Sequence, residues 1–124
     1  MERQSKNEKL LQYFKDICRI PRQTGDEEAI SQYLLDFAKA RGLQAERDAH
    51  HNVLIRKPST IPGYKGPTVI VQGHMDIVYE KSADSTHKYE DGIHVVEEDG
   101  YLKSADGTSL GADNGLAVAY AMDL

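Results

Sequence analysis

Residues 69–78 read Val-Ile-Val-Gln-Gly-His-Met-Asp-Ile-Val, an apolar run that ends in charge. A run rich in β-branched residues, with apolar side chains at both parities, has the composition of a central strand covered on both faces. Such a strand needs cover on either side, which restricts the chain to an α/β arrangement of helices packed on a mixed sheet. In a strand, positions i and i+2 share a face, so His74 and Asp76 project together from its C-terminal end. Ligand sites of open α/β sheets lie at such ends.

The chain ahead of this run reads as scaffold. Leu10, Leu11, Phe14, Ile17 and Cys18 recur at helical spacing and predict a first helix over residues 6–19, closed by Pro21. Thr24-Gly25-Asp26-Glu27 has the spacing of a capping box and opens a second helix, whose stripe is Ile30, Tyr33, Leu34, Phe37 and Ala38 and whose stop is Gly42. Both helices are expected to cover the sheet. Residues 43–47 and 52–56 predict a hairpin around Asp48-Ala49-His50-His51. Three prolines and two glycines in residues 58–67 make that stretch a loop leading into the strand.

Beyond residue 78 the pattern dissolves into a polar loop. A second hairpin is expected over residues 93–97 and 101–104, with Glu98-Asp99-Gly100 between them, and a last helix from Asn114. That helix carries Leu116, Val118, Ala119, Ala121 and Met122 to the end of the sequence without a polar stop. The expectation is an N-terminal part of a longer catalytic domain, with an exposed apolar last helix prone to self-association.

Composition excludes some partners. Twenty acidic residues against fifteen basic ones give a net charge of −5, and no Lys/Arg cluster is interleaved with aromatics, so a nucleic-acid backbone is not the expected partner. The polar opening Met-Glu-Arg-Gln-Ser-Lys lacks the apolar stretch of a signal peptide, and no run reaches membrane-spanning length. A cytoplasmic setting without membrane contact is expected. Cys18, the single cysteine, sits among helix-core residues and reads as packing.

Two places hold residues suited to chemistry. A neutral imidazole at His74 can bind a metal ion while the neighbouring Asp76 carboxylate orients it; the same pair can also simply finish a strand end. Asp113 precedes a helix, where its ordinary role is an N-cap. The small residues around it in Thr108-Ser109-Leu110-Gly111-Ala112-Asp113-Asn114-Gly115 also permit close backbone approach to one acidic side chain, the combination a borderline dication requires. His50, His51, His87 and His94 lie in turns, loops or a strand start and read as exposed or hydrogen-bonded structural residues. Glu97, Glu98 and Asp99 read as a solvated hairpin tip.

His74-Met75-Asp76-Ile77-Val78 together with Gly111-Ala112-Asp113-Asn114-Gly115 resembles the first two metal-site motifs of the di-zinc exopeptidases related to carboxypeptidase G and aminoacylase. Within that group the chain is most similar to the bacterial Xaa-His dipeptidases. Cys18-Arg19-Ile20-Pro21, Gly25-Asp26-Glu27-Glu28, Glu46-Arg47-Asp48 and Leu54-Ile55-Arg56-Lys57-Pro58 extend the likeness over nearly the whole chain. The resemblance implies that His74 ligates one metal, that Asp113 bridges two, and that Asp76 is the catalytic-site carboxylate orienting His74. It also implies a cis bond between Asp113 and Asn114. The implied cofactor is a pair of zinc ions, with manganese or cobalt as alternatives. The implied substrate is a small unblocked dipeptide, cleaved by metal-activated water in a homodimeric parent. The general base, the remaining ligands and the dimerising domain lie outside these motifs, which makes the chain alone inactive. A deacylase of the same fold acting on N-acyl amino acids, and a non-catalytic shortened homologue, are the alternative readings. His51 and Tyr79 depart from the family's usual smaller residues.

Overall fold

The computed structural model describes residues 2–124, arranged as α1 (Glu2–Cys18), α2 (Glu28–Ala40), β1 (Gln44–Arg47), β2 (Val53–Arg56), β3 (Val95–Glu98), β4 (Tyr101–Ser104) and α3 (Ala112–Met122). The α/β character expected from the sequence is present. The sheets, however, are two separate antiparallel hairpins, β1–β2 and β3–β4, in place of one mixed sheet.

α2 forms as its pattern demands. Ile30, Leu34 and Ala38 recur at helical spacing and are buried against the β1–β2 hairpin. Gly42 follows the helix with φ +67°, the left-handed position that favours glycine. The expected capping box is absent. Thr24 turns its hydroxyl elsewhere, and the Glu27 carboxylate instead accepts a hydrogen bond from the Gly25 N–H at 2.8 Å. The Thr-x-x-Glu spacing goes unused because the helix begins at Glu28 with Glu27 at its N-cap position, which leaves Thr24 outside it.

α1 covers a helix and not a sheet. Its buried face, Phe14, Ile17 and Cys18, packs against α3, where Val118, Ala119 and Met122 are buried in turn. Each large side chain withdrawn from water contributes about 1.5–3 kcal/mol. The last helix is thus partnered, which corrects the expectation of an apolar helix left exposed. Ile77 and Ile93 complete this core from the loops between.

The β3–β4 hairpin closes through Asp99 and Gly100, with φ +53° and +80°, the two positive φ values that a tight two-residue turn requires. The β1–β2 turn is pinned by Asp48, whose carboxylate accepts hydrogen bonds from the His50 and Asn52 N–H groups, both at 2.9 Å, and from the Asn52 amide at 2.8 Å. His51 adopts φ +68° there without glycine.

Residues 69–76 form no strand, which corrects the expectation of a buried central one. Val69 and Ile70 are 81% and 84% exposed. A β-branched run is buried only when neighbouring strands take up its backbone groups, and among the described residues nothing pairs with it. Met75 packs partly against the core, and Ile77 alone of residues 69–78 is buried. Its N–H donates to the Arg22 carbonyl at 2.9 Å, and its carbonyl accepts from the Thr24 N–H at 3.1 Å, a single parallel bridge centred on Gln23.

Candidate metal site

His74, Asp76 and Asp113 come together although no strand carries the first two. The Ile77 bridge holds the end of the 69–78 segment against the loop between α1 and α2, and α3 brings Asp113 to the opposite side. Nδ1 of His74 lies 3.0 Å from the Asp76 carbonyl and 3.1 Å from Asp76 Oδ1. A carbonyl oxygen only accepts, so Nδ1 carries the proton. That leaves Nε2 facing Asp113 Oδ1 at 3.1 Å.

The electrostatics follow from these contacts. Partial burial disfavours the charged ring of His74, but hydrogen bonds to the Asp76 carbonyl, Asp113 and the Asp76 carboxylate outweigh it and raise the imidazole above its ordinary pKa. The Asp76 carboxyl is held below the usual range. The main cause is the Thr24 hydroxyl, which donates to Oδ2 at 2.6 Å, with His74 adding to it. Asp76 is thereby ionised and fixed on both oxygens, Thr24 on one and His74 on the other.

Asp113 is not an N-cap. The helix opens at Gly111, with φ +82°, and no side chain caps it. Asp113 and Asn114 have non-helical backbone angles and are joined by a cis peptide bond; the Asp113 carboxylate meets the His74 ring and makes no cap hydrogen bond. Its side chain is 94% exposed and borders a hollow of about 270 Å³ with His74, Asp76, Ile77, Val78, Ser109 and Gly111.

The donor set fits a dication. Nitrogen and carboxylate ligands on one tetrahedral zinc, each about 2.0–2.1 Å from it, lie about 3.4 Å apart, close to the separation found here. The atom pair that shares a proton when the ring is charged is the pair that would share a metal ion. Among the described residues no third His, Cys, Asp or Glu converges with these two in ligating geometry.

The cytosol non-specific dipeptidase of Escherichia coli (strain K12) is 38% identical over 113 residues. The crystal structure of aminoacylhistidine dipeptidase from Vibrio alginolyticus matches with a TM-score of 0.86 and 36% identity over 92% of this chain. The chain is a homologue of part of these dipeptidases. It spans 91% of its own length in the first match but 23% of the length of each relative. No protein-family model matches it.

Two residues of this dipeptidase-like segment escaped the sequence reading. Thr24 has the spacing of a helix cap, yet it serves Asp76. Arg22 lies between elements, outside any periodic stripe, and is 1% exposed. Its proximity also bears on Cys18, where burial raises the thiol pKa and the neighbouring guanidinium only partly opposes it. Cys18 is packing, as expected. The remaining histidines stand apart from the site. His87 is buried, with Nε2 donating to the Gly92 carbonyl and Nδ1 accepting from the Tyr79 hydroxyl, both at 2.6 Å. His94 pairs with Asp106 at 2.9 Å near the surface.

Proposed function

We propose that this chain supplies the His74–Asp113 portion of the metal site of a dipeptidase. The observation that carries the reading is the placement of His74 Nε2 against Asp113 Oδ1 while Asp76 occupies Nδ1. Free rotation of the ring would make such a site weak, and the Asp76 contacts remove that freedom. In this reading His74 would hold one metal ion, Asp113 would be shared between two, and Asp76 orients His74. Zinc suits the mixed nitrogen and carboxylate donors, with manganese or cobalt as alternatives.

Bound there, a dication supplies Lewis acidity toward a carbonyl and acidifies a water. The residues of this chain orient and charge-balance: Thr24 keeps Asp76 ionised, Asp76 keeps the Nδ1 proton of His74, and Asp113 provides negative charge at the open face of the hollow. The proposed reaction of the whole protein is hydrolysis of small unblocked dipeptides of the Xaa-His type; the names of both relatives support a dipeptide substrate and the second supports the histidine. A cytosolic setting is proposed on the same ground. No helix of the described residues is long and apolar enough to cross a membrane. A homodimeric parent remains part of the proposal. With two ligands converging, the chain by itself binds metal without hydrolysing peptide.

Titration calorimetry of the 124-residue chain with zinc tests this, using His74→Ala and Asp113→Ala as controls. Binding weakened at least about tenfold by each substitution is the expected result. Equal affinity in the wild-type chain and Asp113→Ala would remove the bridging assignment.

A further inference from the structure

We propose that Arg22 is a positioning residue that clamps the two halves of the His74–Asp113 site from beneath. Its guanidinium donates through Nη1 to the Met75 carbonyl at 2.9 Å and through Nη2 to the Gly111 carbonyl at 3.2 Å. Met75 is the residue between His74 and Asp76, and Gly111 stands two residues before Asp113. One planar fork therefore joins the segment that carries the imidazole to the segment that carries the carboxylate. A lysine, with a single point of attachment, reaches such a divided pair of acceptors less well.

The surroundings are shaped to admit it. A Cβ at Gly115 would lie 2.6 Å from Arg22 Nη2, and one at Gly111 would lie 2.9 Å from the same atom. The two glycines that bracket Asp113 thus form a cradle for the guanidinium. This gives the small residues of that motif a second use beyond the turn itself.

Stability alone does not account for the arrangement. Arg22 is fully buried, and among the described residues no carboxylate forms an ion pair with it and its Nε has no hydrogen-bond partner. An apolar side chain of similar volume would fill the space without leaving a buried cation incompletely satisfied. What only the guanidinium provides is a fixed separation between two backbone carbonyls and a positive charge below Asp76.

The consequence for metal affinity rests on the metal-site reading above, but the geometric claim is testable on the metal-free chain. Nitrogen-15 resonances of the His74 ring are recorded in the 124-residue protein and in Arg22→Met, Arg22→Lys and Gly115→Ala, with far-UV circular dichroism to establish folding and zinc calorimetry in parallel. In Arg22→Met the His74 resonances shift while those of His94 stay in place, and zinc affinity falls about tenfold or more, the scale for losing an outer partner of a ligand. Arg22→Lys, which keeps the charge and one bond, restores part of both. Gly115→Ala retains Arg22 and displaces its Nη2, so it shifts the same His74 resonances and stands in if Arg22→Met does not fold. Unchanged His74 resonances in a folded Arg22→Met, or in Gly115→Ala where Arg22→Met is unfolded, overturn the clamp. A wild-type chain that binds no zinc overturns the metal reading, while the ring resonances still decide the role of Arg22.

Discussion

Replacing Gly92 by alanine should be the most damaging single-methyl addition among the loop glycines. Gly92 has φ +71° and ψ −178°, a region that glycine alone enters readily and that costs another residue about 1–3 kcal/mol. An added Cβ would also sit 2.3 Å from the Arg19 carbonyl oxygen and 2.9 Å from its Cα, at the end of α1. Relief requires moving the backbone, and both neighbours resist. The Gly92 carbonyl accepts the His87 ring N–H, and the Ile93 N–H donates to the Cys18 carbonyl at 2.8 Å. Overpacking of this kind adds about 1–3 kcal/mol. The combined loss is then about 2–6 kcal/mol, against a total of about 5–15 kcal/mol for a domain. Gly100→Ala is the matched control, since its φ of +80° is also left-handed but no atom lies within 4 Å of the new methyl. That change should cost about 1–2 kcal/mol. Urea denaturation of both variants, followed by far-UV circular dichroism, measures the difference. Equal midpoints with equal slopes would refute the steric argument.

His87→Ala should leave zinc binding unchanged, because His87 shares no contact with His74 or Asp113, yet destabilise the chain by about 2–3 kcal/mol through the orphaned Gly92 carbonyl and Tyr79 hydroxyl; calorimetry and denaturation separate the two effects. The Asp48 carboxyl is held below its ordinary range, first by the Asn52 side-chain amide and then by the Asn52 and His50 N–H groups. A carboxyl whose folded pKa is depressed contributes stability above the unfolded value and loses it as pH falls through the folded one. The melting-temperature gap between the wild-type chain and Asp48→Asn should therefore be full near neutrality and close in acid; a gap independent of pH would contradict the cause given.

The periodic parts of this fold were legible because one pattern admits one partner. Ile30, Leu34 and Ala38 mark a face, and Asp99-Gly100 marks a turn, without reference to the rest of the chain. The run at residues 69–71 was not legible in that way. Its composition states a preference for burial, but burial depends on strands that must be present to receive it. The candidate site fell between these cases. His74 and Asp76 were read as neighbours on a strand face and are neighbours through an Nδ1 contact in irregular backbone. The proximity of the two side chains survives the loss of the strand used to infer it. Asp113 was legible as an acidic group among small residues, while Arg22 was not, since a buried cation beside Pro21 follows no period. Thr24 shows a further limit: its spacing fits a cap, and only the folded chain shows that the helix starts later and that the hydroxyl donates to a carboxylate 52 positions away.

The two ligand candidates differ in how much order folding has already given them. The imidazole of His74 is locked by two oxygens of Asp76, so the rotational entropy of that ligand is lost when the chain folds. Asp113 stands almost wholly in solvent, and among the described residues its carboxylate hydrogen-bonds only with the ring it faces. If the pair holds a metal ion as proposed, capture would be sequential, with a stiff first donor and an exposed second one. The rate of closure would then belong to a single carboxylate settling into one rotamer, a motion on the picosecond-to-nanosecond scale of exposed side chains and far faster than any rearrangement of the fold.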